Sequence, residues 1–108
     1  MNAREQRLAR NEALFREVNE RIADVSSSYE LGDSLEFLCE CGSQDCLDAI
    51  SIVRADYEQV RSEPDRFVVV TGHEIPEIER VLERRDGYVV VTKIGEAGAI
   101  AEETDPRS

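Results

Sequence analysis

The chain reads as a single α+β domain spanning residues 1–108: a long N-terminal helix, an antiparallel sheet of about five strands and a short helix, stapled by zinc. Three observations lead there. Residues 1–25 place apolar side chains at helical spacing. Later segments run apolar over strand lengths and are separated by turn residues. All three cysteines fall within Phe37-Leu-Cys-Glu-Cys-Gly-Ser-Gln-Asp-Cys46, and the only histidine follows in Thr71-Gly-His-Glu74.

In the first segment, Leu8, Asn11, Phe15, Val18, Ile22 and Val25 recur at alternating steps of three and four, as one helical stripe requires. Asn2 and Glu5 have the spacing of a capping box, and Ser26, Ser27, Ser28 and Gly32 mark the exit. The stripe also obeys a heptad, with Asn11 at a seam position where a buried Asn can set register. Leu8, Asn11, Phe15, Val18 and Ile22 are therefore expected either to pack on this domain's own sheet or to meet a protein partner, including a second copy of the chain.

Residues 35–39 read as a strand entering the cysteine loop and 47–53 as the returning strand, with Ile50 and Ile52 on one face. Residues 54–62 carry Tyr57 and Val60 at a helical step and stop before Glu63-Pro64, where proline disfavours helix in the residue ahead of it. The β-branched run 67–70 predicts a well-covered strand. Residues 78–85 and 88–93 flank Asp86-Gly87, a dipeptide suited to a type I′ hairpin turn. Beyond Ile94, the small apolar residues Ala97, Ala99, Ile100 and Ala101 suffice for one docked turn, and 102–108 is expected to fray.

A chain of 108 residues buries only about 60 to 70 % of the surface its unfolded form exposes, so its core is modest. Without Trp, and with three Phe, three Tyr and one Met, that core is mainly aliphatic, and a metal crosslink would add much stability. The net charge of −11 argues against nucleic acid, whose phosphates are bound through Lys and Arg. Residues 26–65, around the cysteines, hold two basic against ten acidic groups. No apolar run approaches the roughly 20 residues that span a membrane, and the polar beginning lacks the apolar centre of a secretory signal, so a cytoplasmic protein is expected. In that setting an odd cysteine count favours free thiols or metal over disulfides.

Cys39, Cys41, Cys46 and His73 supply three thiolates and one imidazole, a set that closes a tetrahedral zinc shell without water. One zinc per chain is expected. The two-residue spacing of Cys39 and Cys41 works only if the chain turns sharply, and Gly42 permits that turn with backbone amides directed at a thiolate. Glu74, beside His73, is a candidate carboxylate for orienting the ring. Catalysis has less support. His73-Glu74 lies after the cysteines, the reverse of the zinc deaminase order, and no orienting third group or glycine-rich oxyanion element accompanies a Cys and His pair.

The segments Arg10-Asn-Glu-Ala-Leu-Phe-Arg-Glu-Val-Asn-Glu-Arg-Ile22, Phe37-Leu-Cys-Glu-Cys-Gly42, Cys46, Gly72-His-Glu74 and Thr104-Asp-Pro-Arg107 together resemble a family of small acidic bacterial proteins of actinobacterial type. That resemblance spans most of the chain. It implies that helix, cysteine loop and Gly-His step belong to one domain, and it brings no activity with it. The function expected is a non-catalytic zinc-binding regulatory or adaptor module acting through protein contacts. The alternative is a thiol-based redox or zinc sensor that releases zinc on cysteine oxidation, and a third reading, acidic mimicry of nucleic acid, rests on charge alone.

Overall fold

Helix α1, Ala3–Val25, opens the fold of the computed structural model, which describes residues 2–25, 33–43 and 45–107. The capping box forms as the spacing requires: the Glu5 amide donates to Asn2 Oδ1 at 2.8 Å, and the Asn2 amide donates to Glu5 Oε2 at 3.4 Å. The predicted helix exit at Ser26–Ser28 and Gly32 lies outside the described residues.

Strands β1 (Ser34–Leu38) and β2 (Ala49–Val53) pair antiparallel, with Phe37 opposite Ile50 and Leu35 opposite Ile52. Helix α2 (Arg54–Val60) follows, and then β3 (Arg66–Val70), β4 (Glu79–Arg84) and β5 (Tyr88–Lys93) form a second antiparallel sheet in the order β3-β5-β4. Tyr88, Val89, Val90 and Val91 of the central strand are all buried, as a strand covered on both faces should be.

The five strands therefore divide between two sheets, where the sequence suggested one. The cysteine segment causes the division. Past Cys39 the chain leaves β2 and runs along the open edge of β3, where Glu40 makes a pair of hydrogen bonds. The Glu40 amide donates to the Val68 carbonyl at 2.8 Å, and the Val68 amide donates to Glu40 Oε1 at 2.9 Å. A side-chain carboxylate thus stands in for the backbone ladder that would have merged the sheets.

Two smaller departures follow from local backbone. The β4–β5 connection is not a type I′ turn: among the described residues only glycines have positive φ, so Gly87 alone (φ 83°) enters that region while Asp86 does not. The Arg85 amide donates to the Tyr88 carbonyl at 2.8 Å, giving the connection in which a single left-handed glycine closes the hairpin. After Ile94 the chain forms a nine-residue helix α3, Gly95–Glu103, in place of a single turn. Residues 102–108, expected to fray, include the end of this helix, Asp105 paired with Arg61, and Arg107 paired with Glu20 and Glu58.

The core lies between the sheets and the helices. Phe37 and Tyr57 stack with ring centroids 4.2 Å apart, beside Ile50, Ile52, Phe67 and the valines of β3 and β5. Burying such aliphatic and aromatic side chains contributes about 1.5–3 kcal/mol each.

The face of α1 turned to this core differs from the expected stripe. Its buried residues are Ala9, Glu12, Ala13, Arg16, Asn19 and Ala23, one position around from the apolar series. Small residues let the helix approach closely, and of the polar ones Asn19 and Arg16 reach backbone partners while Glu12 pairs with the Lys93 side chain. The Asn19 side chain donates to the Leu38 carbonyl at 2.9 Å and accepts from the Leu38 amide at 2.8 Å, which reproduces a strand pairing. Arg16 donates to the carbonyls of Pro64 and Ala101 and lies over the Phe67 ring. Of the expected stripe, Leu8, Asn11, Phe15 and Ile22 are half-buried and Val18 is exposed. Leu8 and Ile22 pack on the domain's own apolar clusters.

Candidate metal centre

Two turns build the site. Cys39 continues the β1–β2 pairing through a hydrogen bond from its amide to the Asp48 carbonyl at 2.9 Å, and the chain then reverses at Gly42. Gly42 has φ 81°, and a Cβ there would lie 2.6 Å from the Leu8 carbonyl oxygen and 2.8 Å from Glu12 Cγ. Only glycine satisfies both the positive φ and this close approach of α1. The Asn11 side chain seals the contact, donating to the Gly42 carbonyl at 2.9 Å. The residue placed at a possible coiled-coil seam is therefore bonded within its own chain.

The second turn follows β3. Gly72 (φ 94°) allows the chain to bend, and the His73 amide donates to the Val70 carbonyl at 2.9 Å. This carries the imidazole over the cysteine loop. One ligand atom from each of Cys39, Cys41, Cys46 and His73 lies within 4.8 Å of the others. The four residues singled out in the sequence thus converge on one point and can hold a metal ion.

His73 presents Nδ1 to the cysteines, 3.6 Å from Cys39 Sγ and 3.6 Å from Cys46 Sγ. Zinc–sulfur bonds of about 2.3 Å and zinc–nitrogen bonds of about 2.0–2.1 Å give a sulfur-to-nitrogen edge of about 3.6 Å in a regular tetrahedron. The other ring nitrogen, Nε2, lies 3.7 Å from Asp48 Oδ2, so the carboxylate beside the imidazole is Asp48. Glu74, expected in that role, instead accepts the Gly72 amide at 2.7 Å and lies 3.8 Å from Arg84. Nothing in the sequence pairs Asp48 with His73, because the pairing depends on where the β1–β2 hairpin meets the β3–β4 connection.

Cys39 and Cys41 are buried and Cys46 is half-buried. Burial is the largest influence on Cys39 and pushes its thiol well above the ordinary range, while a hydrogen bond from the Val70 amide, 3.2 Å from Sγ, pulls the other way. Cys41 is raised for the same first reason and opposed by the Ser43 amide. Without an ion the buried sulfurs therefore retain protons, and a divalent cation must displace them on entering. Three thiolates, a neutral imidazole and a divalent ion sum to −1, which the two amide donors help to balance.

An open cleft of about 720 Å³ borders the cluster, its lining including Arg4, Arg7 and Leu8 of α1, Cys46 and Leu47 of the cysteine loop, and His73. Arg4 and Arg7 make no ion pair or hydrogen bond among the described residues.

Sequence reasoning missed a second convergence. Lys93, the only lysine of the chain, is buried between the carboxylates of Glu12 and Glu79 and pairs with both. Glu12 is pushed up to about 8, first by burial and also by the neighbouring Glu79, against the attraction of Lys93. The available signal was the lone Lys in an otherwise Arg-only set of cations.

No family model matches the chain, and no curated protein or solved structure matches it. No described helix is long and apolar enough to cross a membrane.

Proposed function

We propose that the protein is a non-catalytic zinc module, holding one zinc per chain through Cys39, Cys41, Cys46 and His73 and acting through contacts with another protein. The observation that carries this reading is the 3.6 Å spacing of His73 Nδ1 from two cysteine sulfurs, the edge of a tetrahedral sulfur–nitrogen zinc shell. Soft thiolates with one imidazole favour zinc over magnesium or calcium, which take oxygen ligands. Four protein ligands fill a tetrahedron and leave no position for substrate, the arrangement of structural rather than catalytic zinc. The ion would join the β1–β2 hairpin to the β3–β4 connection. Elemental analysis with native mass spectrometry of untagged protein is expected to find one zinc per chain, lost or weakened in His73→Ala and Cys41→Ser. A folded, metal-free wild-type chain would sink the reading.

The partner surface is supported by the outward side of α1, where Leu14, Val18 and Val25 are 55 %, 38 % and 79 % exposed. Leu8, Asn11, Phe15 and Ile22, from the stripe considered for an interface, already have intramolecular partners or partial burial. A Leu14→Asp/Val18→Asp variant is expected to keep its zinc while losing association in sedimentation equilibrium. A wild-type chain that stays monomeric at millimolar concentration removes a second copy as the partner.

A further inference from the structure

We infer that Cys46 is an oxidative modification site: the thiolate through which hydrogen peroxide attacks the metal centre, with Cys41 as the cysteine that resolves it and the metal as the product released. This deepens the zinc reading and rests on it.

The three sulfurs are not equivalent. Cys39 is 2 % exposed, lies against the edge of β3 and accepts the Val70 amide at 3.2 Å. Cys41 is 4 % exposed and receives the Ser43 amide. Amide donation to a metal thiolate withdraws electron density and lowers its nucleophilicity, and deeper burial leaves less of these two sulfurs open to peroxide. Cys46 is half-buried and sits on the wall of the 720 Å³ cleft with the 34 %-exposed side chain of His73. The guanidinium groups of Arg4 and Arg7, which pair with none of the described residues, line the same cleft together with Asp45 and Asp48. With two carboxylates against two guanidinium groups the cleft has no net positive charge, but the guanidinium N–H groups can stabilise the hydroxide that leaves when the peroxide O–O bond breaks.

The chemistry closes on the residues present and peroxide alone. Cys46 Sγ attacks one peroxide oxygen, the O–O bond breaks, and hydroxide departs, leaving a sulfenic acid. That sulfur no longer binds the ion well, so its neighbours are loosened. Cys41 lines the same cleft, whereas Cys39 is held under β3. The Cys41 thiolate attacks the Cys46 sulfur, a disulfide forms, and a second hydroxide leaves. Two thiolates have lost two electrons and one peroxide has gained them, giving two waters after protonation. Cys39 and His73 alone are too few to retain zinc.

The test uses the zinc-loaded full chain with equimolar hydrogen peroxide. Released zinc is read with a chromogenic chelator, and sites are read by dimedone trapping and peptide mass spectrometry. Early dimedone label is expected on Cys46 alone, followed by one Cys41–Cys46 disulfide for each zinc released. Cys46→His keeps four ligands and is expected to retain zinc and resist peroxide at least tenfold longer. First labelling at Cys39 or Cys41, or wild-type release no faster than that of Cys46→His, would overturn the inference. A preparation that takes up no zinc defeats the metal reading instead. In that preparation the order of peroxide labelling still tests Cys46, since preference for another cysteine refutes its role.

Discussion

The cysteine loop and the charged seam of α1 perform the same task with different chemistry. Each fastens a segment to the sheets across a core too small to hold every element by apolar area alone. At the loop, three cysteine sulfurs and an imidazole converge from two turns, close enough together to hold one ion. At the seam, Lys93 bridges Glu12 and Glu79, joining α1 to β5 and β4 without any cofactor. The two regions touch, because Glu12 Cγ lies where a side chain at Gly42 would be. Clustered cysteines and a lone histidine revealed the loop in the sequence, whereas the seam's one mark was a single lysine among arginines.

The largest expected effect separates the two fasteners. Structural zinc is associated with about 10–16 kcal/mol of apparent binding free energy, more than or comparable to the roughly 5–15 kcal/mol net stability of a domain. Chelation at neutral pH is therefore expected to abolish cooperative unfolding, followed by far-ultraviolet circular dichroism. An unchanged melting transition after complete metal removal would show that the charged seam and apolar core suffice, and would break the comparison.

Next in size is Lys93→Met, which leaves two carboxyl groups buried without their ammonium. The expected loss is about 3–5 kcal/mol in urea unfolding, with zinc content retained. Replacing Glu12, Lys93 and Glu79 together by apolar residues of similar volume should recover most of it, because a well-packed apolar set avoids desolvating the seam's polar and charged groups. If the triple variant is no better than the single one, the seam contributes something other than a paired charge.

Gly42→Ala tests the contact between the regions. A φ of 81° and a Cβ 2.6 Å from the Leu8 carbonyl oxygen require the loop or α1 to shift. The expected cost is about 2–3 kcal/mol, together with weaker zinc retention in chelator competition. Full retention of both properties would show that loop and helix are independent.

The last effect is a pH dependence specific to the seam. Glu12 rises from 4.5 to about 8 on folding, so the native state holds its proton more tightly than the unfolded state. Its contribution is complete below the unfolded value and is lost as pH rises through the folded one. Glu12→Gln cannot ionise. Relative to that variant, the wild type should therefore lose stability between about pH 5 and pH 8, measured by denaturant unfolding at fixed zinc. A constant difference across that window would contradict the assignment of the proton to the seam. The cysteine loop has the opposite sign, since rising pH deprotonates the thiols that bind the ion.

The element order was largely legible because it depends on local pattern: the capping box at Asn2 and Glu5, the β-branched run before Gly72, and Asp86-Gly87 between two strands. The Cys3His set was legible too, since three cysteines in one loop and a lone histidine leave few combinations. The burying face of α1 was not. Apolar periodicity selected Leu8, Phe15, Val18 and Ile22, but the inward residues are Ala9, Glu12, Ala13, Arg16, Asn19 and Ala23. Hydrophobicity predicts burial only when the buried polar groups lack partners, and here Leu38, Glu40, Pro64, Glu79, Lys93 and Ala101 provide them from distant segments.

By itself, then, the sequence determined the order of helices and strands, the places where the chain turns and the four residues that could hold a metal ion, all properties of spacing and side-chain chemistry along one stretch of chain. Tertiary structure alone decided that the strands divide into two sheets, that Asp48 rather than Glu74 accompanies His73, that Cys46 is the least buried of the three sulfurs, and that Lys93 lies buried between two glutamates. Each of those depends on which groups meet across the fold, where desolvation and hydrogen-bond satisfaction outweigh the preferences of any single segment.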